Sequence, residues 1–121
     1  MREILFKAKR KDNGEWVVGD LLHTGDVDAV LISDCYGQLY RCDSDTICQY
    51  TGLTNKNGQK IWENDIVCIR SSVLSGYGVI KYENGNLVLV DAKRKRTYSL
   101  YGEWKIRKDG NIFDNDLLEV E

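Results

Sequence analysis

Proline is absent from these 121 residues, and histidine and methionine occur once each. Without proline, tight reversals fall to glycine, asparagine and aspartate, and 11 glycines are available for them. That composition suits many short antiparallel hairpins. The lone histidine, His23, sits in no motif with a cysteine, which disfavours a Cys–His nucleophile and leaves His23 as a partly buried surface residue. Neither G-x-x-x-x-G-K nor G-x-G-x-x-G occurs, so nucleotide hydrolysis is disfavoured too. The start, Met1-Arg2-Glu3-Ile4, lacks the apolar run of a signal peptide, and no later run approaches the roughly 20 residues that span a bilayer. A cytoplasmic protein without membrane contact is expected. In that setting Cys35, Cys42, Cys48 and Cys68 stay reduced, and they lack the C-x-x-C spacing that presents two thiolates to zinc. No metal and no cofactor is expected, and Cys48 and Cys68 read as small core residues. Excess charge is missing as well. With 17 Lys and Arg against 19 Asp and Glu, the net charge of −2 gives no global pull toward nucleic acid, so any such contact must be local.

What is present is organised around Gln49 to Val67, QYTGLTNKNGQKIWENDIV. Two apolar runs flank Asn57-Gly58, a dipeptide that tolerates positive φ and so predicts a primed hairpin turn centred on it. Glu63-Asn64-Asp65 makes a second polar corner before the next strand. Upstream, Glu3 to Lys9 alternates with the period of a half-buried strand, and Asp12-Asn13-Gly14 turns it into Trp16-Val17-Val18. Leu21-Leu22-His23 either extends that strand past Gly19 or begins a separate element. Val27 to Ser33 reads as a buried strand, and Tyr36 to Tyr40 as a turn and a short edge strand. Downstream, Val79 to Tyr82 and Leu87 to Val90 flank Glu83-Asn84-Gly85-Asn86, a second hairpin. Thr97 to Tyr101 and Trp104-Lys105-Ile106 are further strand candidates. Short strands at this spacing predict a small barrel or coiled sheet. Asp114 to Glu121 reads equally as a helical turn, capped by Asp114 with Leu117 and Leu118 folded back, or as irregular chain. The polar break Asp43-Ser44-Asp45 is too short for a linker, so it separates two lobes of one domain, 1–45 and 46–121.

The central stretch, the strand Val79-Ile80-Lys81-Tyr82 and the closing Gly110-Asn111-Ile112-Phe113-Asp114-Asn115-Asp116-Leu117-Leu118 together resemble the YopX family of bacteriophage and prophage proteins. That family's pattern is similar to YTGLxDKNGxxIxEGDIV with a distal GNIxENPELL, and Met1 to Ala8 resembles its MREIKFRAW start. Three positions depart from it: Asn55 stands for Asp, Asn64 for Gly and Asp116 for Pro. Asn64 still tolerates a left-handed turn. The resemblance implies a mainly β fold whose second half, 46–121, is an SH3-like small β-barrel, in a phage or prophage protein. It brings no activity. The residues that carry it, Tyr50, Gly52, Asn57, Gly58, Asn64, Asp65, Gly110 and Asn111, read as a structural motif.

Two basic clusters are the candidate binding residues: Lys7, Lys9, Arg10 and Lys11, and the tip Lys93, Arg94, Lys95 and Arg96. Tyr98, Tyr101 and Trp104 follow the second, and small β folds use such aromatics to stack on single-stranded bases. Asp91 and Glu103 lie close by and oppose that reading, as does the ordinary role of a charged tip as a solvated one. Paired carboxylates, Asp26 with Asp28 and Asp43 with Asp45, are read as solvated turns rather than acid–base or cation sites. Exposed strand edges and the aromatics Tyr36, Tyr40 and Tyr77 suit pairing with a second copy; Trp62 is assigned to the core. The expectation is a non-enzymatic binding module that self-assembles into a homo-oligomer and meets a phage or host protein, with no small-molecule substrate. Nucleic-acid binding through the basic clusters is the alternative, and an enzyme is third.

Overall fold

The computed structural model describes residues 4–71, 75–100 and 104–114. Among them the chain is mainly β, with β1 (Phe6–Lys9), β2 (Trp16–His23), β3 (Ala29–Ser33), β4 (Leu39–Asp43), β5 (Cys48–Thr54), β6 (Lys60–Trp62), β7 (Asp65–Arg70), β8 (Ser75–Glu83), β9 (Asn86–Asp91), β10 (Arg96–Ser99) and β11 (Lys105–Asn111). Two compact units divide it, 1–52 and 53–121, so the division falls within β5. The polar break Asp43–Asp45 lies inside the first unit and leads into a 3-10 turn, Ser44–Thr46, where the Asp43 side chain accepts the Asp45 N–H at 3.0 Å. The helical turn considered for Asp114 to Glu121 falls, beyond Asp114, outside the described residues, as do Tyr101, Leu117 and Leu118.

In the first unit the strands run in the order β4-β3-β2-β1-β5. Within the first unit, β2 is a single strand through Gly19: Trp16 to Gly19 pair with β1, and Asp20 to His23 pair with β3. Only glycine serves at this change of partner, because a Cβ on residue 19 would stand 1.9 Å from the Ser33 carbonyl oxygen. Alternation along β1, β2, β3 and β4 then sets Ala8, Val17, Val30, Ile32 and Cys42 on one buried side. The outer edge of β4 is partly covered. Arg10 bridges Cys42, and the Lys11 N–H donates to the Arg41 carbonyl at 3.0 Å, so the end of β1 reaches the far edge of its own sheet.

In the second unit the sheet order is β10-β9-β8-β7-β11. Its core is Ile61, Val67, Ile69, Ile80 and Leu89, with Trp104 and Ile106 packed against it. β8 repeats the device of β2: it pairs with β7 through Val79 and with β9 from Val79 onward, and a Cβ on Gly78 would stand 2.2 Å from the Val90 carbonyl oxygen. β10 and β11 are the two outer strands and do not pair with each other. The sheet is open among the described residues, so the SH3-like barrel expected for 46–121 is not closed there.

The turns show which side chains make the reversals. Asn84 and Gly85 both have positive φ, 52° and 79°, the primed turn expected between β8 and β9. Asn57-Gly58 is different. Gly58 alone has positive φ, 78°, and the organising side chain is Asn55, whose Oδ1 accepts the Asn57 and Gln59 N–H groups at 3.0 Å each. The same arrangement recurs before β4, where Asp34 Oδ1 accepts from Tyr36 and Gln38 at 2.9 Å each and Gly37 has φ 80°. Asp34-Cys35-Tyr36-Gly37-Gln38 and Asn55-Lys56-Asn57-Gly58-Gln59 are one turn used twice, an Asx side chain at its first position and glycine at its fourth.

Candidate functional site

The structural motif comes together at the start of β7. Asn64 has φ 72°, its N–H donates to the Ile80 carbonyl at 2.8 Å, and its side-chain oxygen accepts from Lys81 Nζ. Asp65 is fully buried, accepts the Trp62 N–H at 2.8 Å and lies 3.4 Å from Lys108 Nζ. From the other end of the unit, Asn111 pairs with Asp65 and Gly110 with Ile66 across a bulge at Asp109. Gly110 carries φ 148°, and Asn111 Oδ1 accepts the N–H groups of Phe113 and Asp114 at 2.9 and 3.0 Å. Tyr50 is buried and donates its N–H to the Leu5 carbonyl at 2.9 Å, and Gly52 has φ 86°. These side chains are occupied in holding backbone corners.

The first basic cluster is absorbed by the first unit. Lys7 is buried with its Nζ 4.5 Å from the Trp16 ring centroid, and Lys9 reaches the same ring at 5.4 Å. Arg10 lies over the Tyr40 ring at 4.9 Å and donates to Asp12 through Nε at 2.9 Å; that bond raises the Arg10 pKa and lowers that of Asp12. Lys11 stands 3.6 Å from Asp28, and nearby Arg41 is 2.7 Å from Asp26. The acid pair Asp26 and Asp28 is thus the counter-charge of the basic cluster. The second cluster is an exposed turn between β9 and β10. Asp91, its side chain 4% exposed, accepts the Arg94 N–H and its guanidinium at 3.1 Å each, and Lys95 takes φ 54° to close the reversal.

A third group of cations was not singled out from the sequence. Antiparallel register sets Arg70 of β7 directly opposite Lys105 of β11, and Cys68 opposite Arg107. Directly opposed residues share a face, so Cys68, Arg70, Lys105 and Arg107 project away from the face that Val67, Ile69 and Ile106 give to the core. Arg107 donates to Asp109 at 2.9 and 3.1 Å, which raises its pKa and keeps it a cation. Arg70, Lys105 and Lys56 make no ion pair with a described carboxylate. Together with Trp104, Ile106 and the Thr54–Asn57 turn they line a cleft of about 390 Å³ with no acid among the described lining residues.

Of the other side chains weighed from sequence, Trp62 is in the core as assigned, 6% exposed. His23 is exposed rather than partly buried. All four cysteines are free: Cys42 and Cys48 are buried, Cys35 is exposed, and Cys68, assigned to the core, is only half-buried at the rim of the cleft. Burial pushes the Cys42 thiol up from its usual range. Among the described residues no group of three His, Cys, Asp or Glu side chains is placed to hold a metal, and no helix is long and apolar enough to cross a membrane. The signal for the cleft was in the sequence. In Cys68-Ile69-Arg70 and Lys105-Ile106-Arg107 an apolar centre alternates with polar or cationic neighbours, so two strands each offer cations on one face.

Comparison with known proteins adds one match. A family model described as YopX protein covers residues 5–119. No curated protein and no solved structure matches the chain.

Proposed function

Because the chain belongs to the YopX protein family, we propose that it is a non-enzymatic binding module, an accessory protein of phage type, and that the cleft of the second unit engages a polyanion. The observation that carries this is the cross-strand pair Arg70 and Lys105. Like charges directly opposed on a sheet repel, and no described carboxylate offsets them. An anion bound between them does. Lys56 and Arg107 add cations at the same cleft, while Ile106 and Trp104 give it an apolar wall, so a ligand with both charge and flat apolar surface suits it.

The edges argue in the same direction. A strand prepared for pairing with a second copy presents a long, uncharged outer edge, whereas charge on an edge discourages such pairing. β11 carries Lys105, Arg107 and Lys108, β10 begins at Arg96 after Lys93, Arg94 and Lys95, and β4 is partly covered by Arg10 and Lys11. Self-assembly therefore ranks behind polyanion binding. A labelled sulfated polysaccharide titrated by fluorescence anisotropy at about 50 and 200 mM salt tests the reading. Saturable binding that weakens with salt, and that Arg70→Gln with Lys105→Gln weakens further, supports it; binding untouched by that double variant removes the cleft. Recovery of the ligand in altered form would overturn the non-enzymatic part.

A further inference from the structure

Resting on the polyanion reading, we propose that the ligand of the cleft is single-stranded nucleic acid, with a base laid on Trp104 and the phosphate backbone carried by Arg70, Lys105, Lys56 and Arg107. Three features of the cleft support this ligand, and the stacking residue is the one that separates it from a duplex or from a polyanion without bases. Arg70, Lys105, Lys56 and Arg107 all line one cleft. Its volume of about 390 Å³ is at the small end of the range of roughly 300–1,000 Å³ for ligand sites and on the scale of a nucleotide or two.

Trp104 supplies the second feature. It is half-buried, packed on the core that contains Val67 and Ile69, and it also lines the cleft, so the residue assigned to stack on a base is held in position by the core. Stacking on an aromatic ring is tolerant of sequence because every base has a flat face, and it requires bases that are not already stacked in a duplex. The third feature is the composition of the rim. Lys56 and Asn57 stand on a turn locked by Asn55, so that wall presents a cation and an amide from a rigid corner opposite a ladder of cations two residues apart on β11. Successive phosphates along a strand are met by such a ladder, which supplies affinity, while the choice of a single strand over a duplex falls to stacking on Trp104.

The experiment compares three ligands on the full chain at about 50 mM salt: labelled oligothymidylate, a duplex of equal length and a labelled sulfated polysaccharide. Oligothymidylate is expected to bind about tenfold tighter than the duplex, and Trp104→Leu to lose about tenfold for oligothymidylate while leaving the polysaccharide unchanged, since stacking contributes on that order per base. Trp104→Phe is expected to restore most of that loss, which a purely structural role in the core would not separate between ligands. Lys56→Gln lies on an exposed turn that does not depend on its side chain, so it tests the same wall in a protein that folds: a flatter salt dependence for oligothymidylate is expected. Equal affinity for single strand and duplex, with Trp104→Leu indifferent to ligand type, overturns the single-strand inference and leaves the polyanion reading standing. Absence of binding to all three ligands overturns both.

Discussion

Asp65 is a buried carboxylate tied into a backbone corner. Its carboxylate is fully buried, accepts the Trp62 N–H and faces Lys108, whose side chain is 23% exposed. Removing one member of a buried, hydrogen-bonded charge pair strands the other, at a cost of about 3–5 kcal/mol. Asp65→Ala is therefore expected to lower the urea midpoint severely, and Lys108→Met made on top of it to recover part of the loss. Independent, additive effects of the two changes would contradict the pairing. Neighbouring Asn64 occupies positive φ, which costs a non-glycine residue about 1–2 kcal/mol and is eased for asparagine. Its replacement of the family's glycine was foreseen from the sequence as harmless, but the hydrogen bond from Lys81 was not, because nothing local announces a partner 17 residues away. The cysteines give a chemical check at this scale. Cys42 is buried and its pKa raised by that burial, so stability linked to the protonated thiol is present below the ordinary thiol range and falls as pH rises above it. Iodoacetamide under native conditions near neutral pH is expected to modify Cys35 first and to spare Cys42 and Cys48 until the protein unfolds. Early modification of Cys42 would contradict its placement.

Among the elements, β2 and β8 explain both what the sequence disclosed and what it hid. Alternation made their apolar faces legible, and Asn84-Gly85 was recognisable because a primed turn is encoded in the dipeptide itself. Asn57-Gly58 misled because the same dipeptide can occupy the end of a longer turn, and the deciding residue, Asn55, acts through a side-chain bond to Gln59 that periodicity does not report. Gly19 left open whether β2 continued, since a glycine inside an apolar pattern marks either a break or a close approach. Close approach is the case. Gly19→Ala and Gly78→Ala are each expected to cost about 1–3 kcal/mol in chemical denaturation, the range for forcing atoms into a filled space, whereas Gly14→Ala, with nothing near its Cβ position, bears only the strain of φ 74°. The pair β7 and β11 carries the opposite lesson. Arg70 and Lys105 are 35 positions apart in sequence, and only the register opposes them. Lys105→Glu replaces repulsion by attraction and is expected to stabilise the free protein by about 0.2–1 kcal/mol while weakening polyanion binding. A variant that gains stability and keeps full binding would show that the pair is incidental.

At the scale of the whole molecule, net charge averages over surfaces whose local balance differs. Seventeen cations are offset by nineteen acids overall. In the first unit that balance is local, with Arg10 on Asp12, Lys11 beside Asp28 and Arg41 on Asp26. In the second it is partly so, with Arg94 on Asp91, Lys108 beside Asp65 and Arg107 on Asp109, while Arg70, Lys105 and Lys56 have no carboxylate beside them among the described residues. Charge runs drew attention to Lys7 through Lys11 and Lys93 through Arg96 because runs are visible in one dimension; the cleft is assembled from single cations on separate strands and one turn. The mainly β architecture and the family were legible, the first from alternation and turn residues, the second from Gln49–Val67 with Gly110–Leu118. An amide and indole NMR titration of the protein with oligothymidylate tests the cleft most directly. Binding in the cleft makes the Trp104 indole and the amides of Lys56, Arg70 and Lys105 shift together and saturate together, with Lys7 to Lys11 and Lys93 to Arg96 little changed. Shifts confined to those two clusters, with the cleft still, would contradict it.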